Sequence, residues 1–260
     1  MFNNLKIFPN RYYQCIIVLI VSILTAFILV SLLDILNVFL YLTCVSILFV
    51  IICVSIAFAF SSKESRNLNL KIDSCKNKKK TIGCMVLSLL LFSFGYNLIS
   101  RAIFPAEQTV MPTPVILHSV LIAPVAEEIV FRGIFLRSII KANRYSVWSC
   151  IIVIALLFAI MHFPSSPHHI NWFMYICNVF NAFVLGCMFG LIYMYTGKIV
   201  FPVGAHCLAN LTTVGLSYMD CSSTKINLFL GIGSVVMGIL CFSLICLKNN
   251  ASIFDNSTNS

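Results

Sequence analysis

The chain has 260 residues, 60% of them apolar and only 10% charged, with a mean hydropathy of +1.00 and a net charge of +9. An average soluble domain is about half apolar and a quarter charged, so these figures exclude a soluble fold, and they exclude disorder, whose first requirement is low hydrophobicity. The twelve cysteines lie mostly inside apolar runs rather than loops, which excludes a disulfide scaffold and leaves them as small apolar residues of an all-α, polytopic membrane helix bundle.

At roughly 20 apolar residues per crossing, the hydropathy pattern predicts about eight transmembrane helices, at 14–33, 38–60, 81–100, 114–136, 146–162, 172–196, 199–219 and 226–247. The first run is longer than a signal-peptide core and lacks a small-residue cleavage site, so it is expected to be retained. Residues 61–80 form the only long charged connector, with seven Lys or Arg against Glu64 and Asp73. The positive-inside rule assigns that connector to the cytoplasm. Both termini then lie inside, and the inner side collects fourteen basic residues, among them Arg137, Lys141, Arg144 and Lys198, while the outer side keeps only Arg101 and Lys225. This asymmetry and attraction to anionic lipid heads account for the positive charge, and no nucleic acid is needed. The segment 248–260 reads as a disordered polar tail. Its two Asn-X-Ser/Thr triplets, at Asn250 and Asn256, fall on the inner side and are expected to be chance matches. There is no inverted repeat of the transporter kind.

Of eight acidic residues, Asp34, Glu64, Asp73, Glu107, Asp220 and Asp255 fall in loops, tails or helix ends, but Glu127 and Glu128 lie well inside the fourth expected span. An ionised group there costs about 3 kcal/mol on insertion scales, so an intramembrane acid is a functional candidate by default, with a purely structural ion pair as the plain alternative. Glu128 and Arg132 stand at i and i+4 with the acid N-terminal, the favourable order for a pair on one face. Glu127 points about 100° away and has Phe131, not a base, one turn below. Such a carboxylate is suited to exchange a proton with water, the property of a general base. His162 closes the fifth span one turn after Phe158, and His206 shares a face of the seventh with Asn210. A lone intramembrane histidine is usually a hydrogen-bonded core residue; the case for chemistry is the combination of an acid, a histidine and a His/Asn pair on three helices. Pro124, Pro164 and Pro202 lie close to these residues, so each site helix is expected to bend or end there, as backbone facing a hydrated cavity does. Taken literally, the span limits put Glu127 near mid-depth, His162 at the outer end and His206 toward the inner end, so the helices must be tilted or unequal if these residues meet.

In order along the chain, Glu127 to Arg132 resembles the EExxxR motif, Phe158 to His162 resembles FxxxH, and His206 to Asn210 resembles HxxxN. These are the signatures of the CPBP family of intramembrane glutamic endopeptidases, the CAAX-processing and bacteriocin-processing proteases related to the Ras-converting CAAX prenyl protease. The resemblance implies that Glu127 is the general base on a water that His162 helps to bind and polarise, that His206 and Asn210 form an oxyanion hole, and that Glu128, Arg132 and Phe158 support the site. It implies no metal and no cofactor, and a peptide or membrane-protein substrate reached from membrane lipid. It also implies a multi-pass protein of the cell membrane.

The expected division is a three-helix membrane region at 1–113, a catalytic core at 114–219, a C-terminal span at 220–247 and the polar tail. Phe163 to His169 departs from an apolar continuation and reads as an outer loop; its vicinal His168 and His169 are weak metal ligands. Two other classes stay open: a metal-dependent hydrolase with zinc on Glu127, His162 and His206, and a non-catalytic scaffold binding a partner peptide. Gly186 and Gly190 form a GxxxG on the sixth span that is expected to pack within the bundle. Serine or aspartyl intramembrane proteolysis is excluded by the absence of a Gly-x-Ser-Gly motif and of an intramembrane aspartate pair.

Overall fold

The computed structural model describes residues 44–48, 51, 78–104, 112–141, 146–162, 171–219 and 224–254. Most of the first two expected spans, most of the basic connector and the Phe163 to His169 loop fall outside these residues. Every regular element among the described residues is helical: α1 Lys78–Ile103, α2 Thr113–Ile140, α3 Val147–Ile160, α4 Trp172–Thr196, α5 Val200–Ser217 and α6 Thr224–Phe254. Five of them, all but α3, are long and apolar enough to cross a membrane.

The exception matters for the site. With 14 residues and 1.5 Å of rise each, α3 is about 21 Å long, short of the roughly 30 Å of hydrocarbon a crossing must span. The expected fifth span at 146–162 is thus corrected to a shorter helix. Hydropathy does not register where the backbone leaves the helix: beyond Ile160, the Met161 and His162 amides close a turn onto Leu157 O and Ala159 O at 3.3 and 3.0 Å. At the other end of the chain, α6 continues through Lys248 to Phe254, into the segment expected to be a disordered tail.

The chain divides into two compact units, one holding α2 and α3 as far as Ile154, the other holding α1, the end of α3 from Ala155, and α4 to α6. In the first unit, α2 alternates α and π turns: α over Thr113–Leu117, π over His118–Ile122, α over Ala123–Glu128 and π over Ile129–Leu136. Pro124 is the second residue after the first π stretch, which ends at Ile122. A proline has no N–H to offer and its ring crowds the carbonyl four residues back, so the wide turn before it accommodates the ring. Val130, Phe131, Phe135 and Leu136 are buried, with the two phenylalanine rings edge to face at 6.0 Å. His118 Nε2 meets Ser46 Oγ at 2.9 Å.

In the second unit the helix ends are set by local chemistry. Asn171 caps α4 by accepting the Met174 N–H, and Gly197 ends it in the left-handed conformation at φ 66°, the usual C-terminal stop. Pro202 lies in the first turn of α5, where a missing N–H leaves no carbonyl unpaired. Arg101 of α1 donates to the carbonyls of Leu216, Ser217 and Met219, a cation on the negative end of α5. Helix α6 lies against α1 through glycines: a Cβ on Gly231 would stand 2.8 Å from Gly95 O, and one on Gly238 would stand 2.7 Å from Ser88 O. Gly186 is packed against Ala155 and Phe158, within the bundle as its GxxxG context suggested. Exposed apolar side chains such as Phe180, Phe229 and Leu244 suit surroundings of lipid rather than water.

Candidate active site

The three motifs are divided between the two units. Glu127 and Glu128 end the α turn Ala123–Glu128 of α2, and Arg132 follows in the π stretch. Arg132 Nη1 donates to Glu128 Oε1 at 2.8 Å, and both side chains are fully buried. The i,i+4 pair expected from spacing is therefore present, and Arg132 also lies against the Phe131 ring at 5.9 Å. Glu127 is half-buried. Beside it, Val125, Ala126 and Ile129 line an apolar pocket with Ser46, Ile47 and Ile51.

The second unit brings Phe158, His162, His206 and Asn210 to one pocket of about 280 Å³. His162 stands in the turn that follows Ile160, the last residue of α3, and lines this pocket together with His206 and Asn210. His162 Nδ1 lies 2.9 Å from Phe158 O. A carbonyl only accepts, so Nδ1 carries the proton, and in the neutral ring Nε2 is left as an acceptor. His206 is 4% exposed and held between two rings: Phe189 stacks on it at 4.6 Å and 22°, and Phe158 meets it edge-on at 5.8 Å. Phe158 also contacts the His162 ring at 4.6 Å. Asn210 lies one turn beyond His206 on α5, and both line the pocket. A carbonyl oxygen gaining charge in this space would face an imidazole and a carboxamide, the donor types of an oxyanion hole. Among the described residues, no three His, Cys, Asp or Glu side chains gather as a metal-binding group.

Several pocket residues escape an intramembrane search confined to acids and histidines. Phe189 and a polar wall of Ser93, Tyr96 and Asn97 on α1, Asn178 and Asn181 on α4, and Thr213 on α5 line the same space. The wall is internally bonded: Tyr96 OH donates to Asn178 Oδ1 at 2.6 Å, and Asn97 Nδ2 donates to Ser93 O and Thr213 Oγ1 at 2.8 and 3.1 Å. A signal was present, because Ser93 and Asn97 are four residues apart, Asn178 and Asn181 three, and Asn210 and Thr213 three, each pair on one helical face.

No curated protein and no solved structure gave a significant match to the chain. Residues 109–212 match the family model of the type II CAAX prenyl endopeptidases, Rce1-like. The matched stretch contains Glu127, Glu128, Arg132, Phe158, His162, His206 and Asn210. Its helices, long and apolar enough to cross a membrane, make the chain a multi-pass membrane protein, and that protein carries an Rce1-like domain of the CPBP family, a family of proteases that act on protein or peptide substrates within the membrane.

Proposed function

We propose that the chain cleaves a peptide bond in a membrane-embedded or membrane-proximal substrate, with water as the nucleophile and no covalent enzyme intermediate. The observation that carries this reading is the pocket in which His162 meets His206 and Asn210. His162 Nε2 accepts from the water and orients it. The Glu127 carboxylate takes the water's proton as the oxygen bonds to the carbonyl carbon, and the carbonyl electron pair moves onto its oxygen. His206 and Asn210 donate to that oxyanion, as donors held in place where the charge develops. The carbonyl re-forms as the C–N bond breaks, and the proton on Glu127 passes to the departing amine. Glu128 and Arg132 neutralise each other and keep the helix that bears Glu127 in shape.

The substrate is a prenylated CAAX tail, a bacteriocin or other peptide precursor, or a membrane-anchored regulator, with both termini of the protease in the cytoplasm. The test compares wild type with Glu127→Gln at matched membrane levels by quantitative peptidomics. Peptides that disappear in the variant identify the substrate. A variant that retains every wild-type product removes Glu127 from the chemistry, and activity lost to a chelator and restored by zinc replaces the metal-free mechanism.

A further inference from the structure

A protease in the membrane has to hold the segment it cuts extended, and each peptide unit held that way bares an N–H and a C=O that lipid cannot satisfy. The polar wall of the pocket contains groups suited to receive these. Most of its members already satisfy one another: Asn97 is spent on Ser93 O and Thr213 Oγ1, and Ser93 Oγ pairs with Thr212 Oγ1 at 2.9 Å. Asn181 differs. Its Oδ1 is a buried acceptor with no hydrogen-bond partner among the described residues, and it lines the pocket. A buried acceptor left unmatched is costly, which is why native structures pair nearly all of them.

One turn earlier on the same face of α4, Asn178 also lines the pocket, and Tyr96 OH occupies its Oδ1 at 2.6 Å. That bond fixes the Asn178 carboxamide with its NH₂ available as donor. Three residues of helix separate the two side chains by about 4.5 Å along the axis, within the roughly 6.6 Å two-residue repeat at which an extended chain turns an N–H and a C=O to one side. The wall therefore presents a donor and an acceptor close enough together to engage the groups on one edge of a main chain laid beside it.

We propose that Asn181 Oδ1 accepts a main-chain N–H of the substrate next to the scissile bond, while the Asn178 NH₂ donates to a neighbouring substrate carbonyl, so that this face of α4 holds the cleaved segment extended. The assignment rests on the protease reading of the same pocket. Asn181 acts here in binding; the reacting atoms lie with His162, His206 and Asn210.

The experiment uses the full chain in lipid nanodiscs and a dye-labelled, prenylated CAAX-tail peptide, together with a set of its analogues in which an ester oxygen replaces each backbone N–H in turn. Wild type is expected to show one position, adjoining the cleaved bond, at which the ester raises Kd and KM about five- to tenfold with kcat nearly unchanged, the size expected for one neutral hydrogen bond. Asn181→Leu should bind the amide and that ester equally, whereas Asn181→Asp, which keeps an acceptor, should discriminate again. Discrimination by Asn181→Leu equal to that of wild type overturns the proposal, as does a loss in kcat alone or wild-type protein that binds none of the peptides. If wild type binds with the expected discrimination but hydrolyses nothing, the contact stands and the proteolytic reading falls.

Discussion

Replacing Gly95 by alanine tests how closely α1 and α6 are packed and what that packing does for the site. The new Cβ would lie 2.6 Å from Gly231 O, 2.8 Å from Ser234 Cβ and 2.8 Å from Val235 N. Ordinary C···O contacts between helices are about 3.3–3.6 Å, so α6 must retreat by roughly 0.7 Å or more. Two of the three crowding atoms are backbone and cannot rotate aside. Overpacking of this kind costs about 1–3 kcal/mol, offset by up to ~1 kcal/mol because alanine is the better helix former. Gly233, on α6 itself, provides the control: a Cβ there meets nothing within 4 Å, so Gly233→Ala should be neutral or stabilising by up to ~1 kcal/mol. Equilibrium unfolding of both variants in mixed micelles measures the difference. Gly95→Ala should also lose peptide binding, because Ser93, Tyr96 and Asn97 on either side of it line the pocket. A Gly95→Ala protein as stable as Gly233→Ala would refute the close approach of the two helices.

His206→Ala and Asn210→Ala should each lower kcat about 10²–10³-fold with KM little changed, since oxyanion donors act chiefly on the transition state; steady-state kinetics showing a rise in KM at constant kcat would assign both residues to binding instead. Arg132→Ala should lower the folded yield, at a cost of about 3–5 kcal/mol for stranding a fully buried Glu128. The double replacement Glu128→Gln with Arg132→Met should recover much of that yield, and size-exclusion profiles of the two variants compare them directly.

Much of this protein was legible in its sequence because the relevant physics is local. Apolar run length marked the long spans, and the limits expected for α4 agree with Trp172–Thr196 because an asparagine cap and a glycine stop flank it. The pairing of Glu128 with Arg132 and the shared face of His206 and Asn210 follow from helical spacing alone. Local patterning did not show that α3 stops at Ile160, that Pro124 is preceded by a π turn, or that α6 runs on to Phe254. Spacing sets the direction of a side chain about its own helix axis but not which neighbour lies in that direction. The stacking of Phe189 on His206, the bond from Tyr96 to Asn178, the orphaned Asn181 acceptor and the selection of Gly95, Gly231 and Gly238 over other glycines each join helices far apart in the chain. Only packing in three dimensions decides those contacts, because the free energy of burying a group depends on what it is buried against.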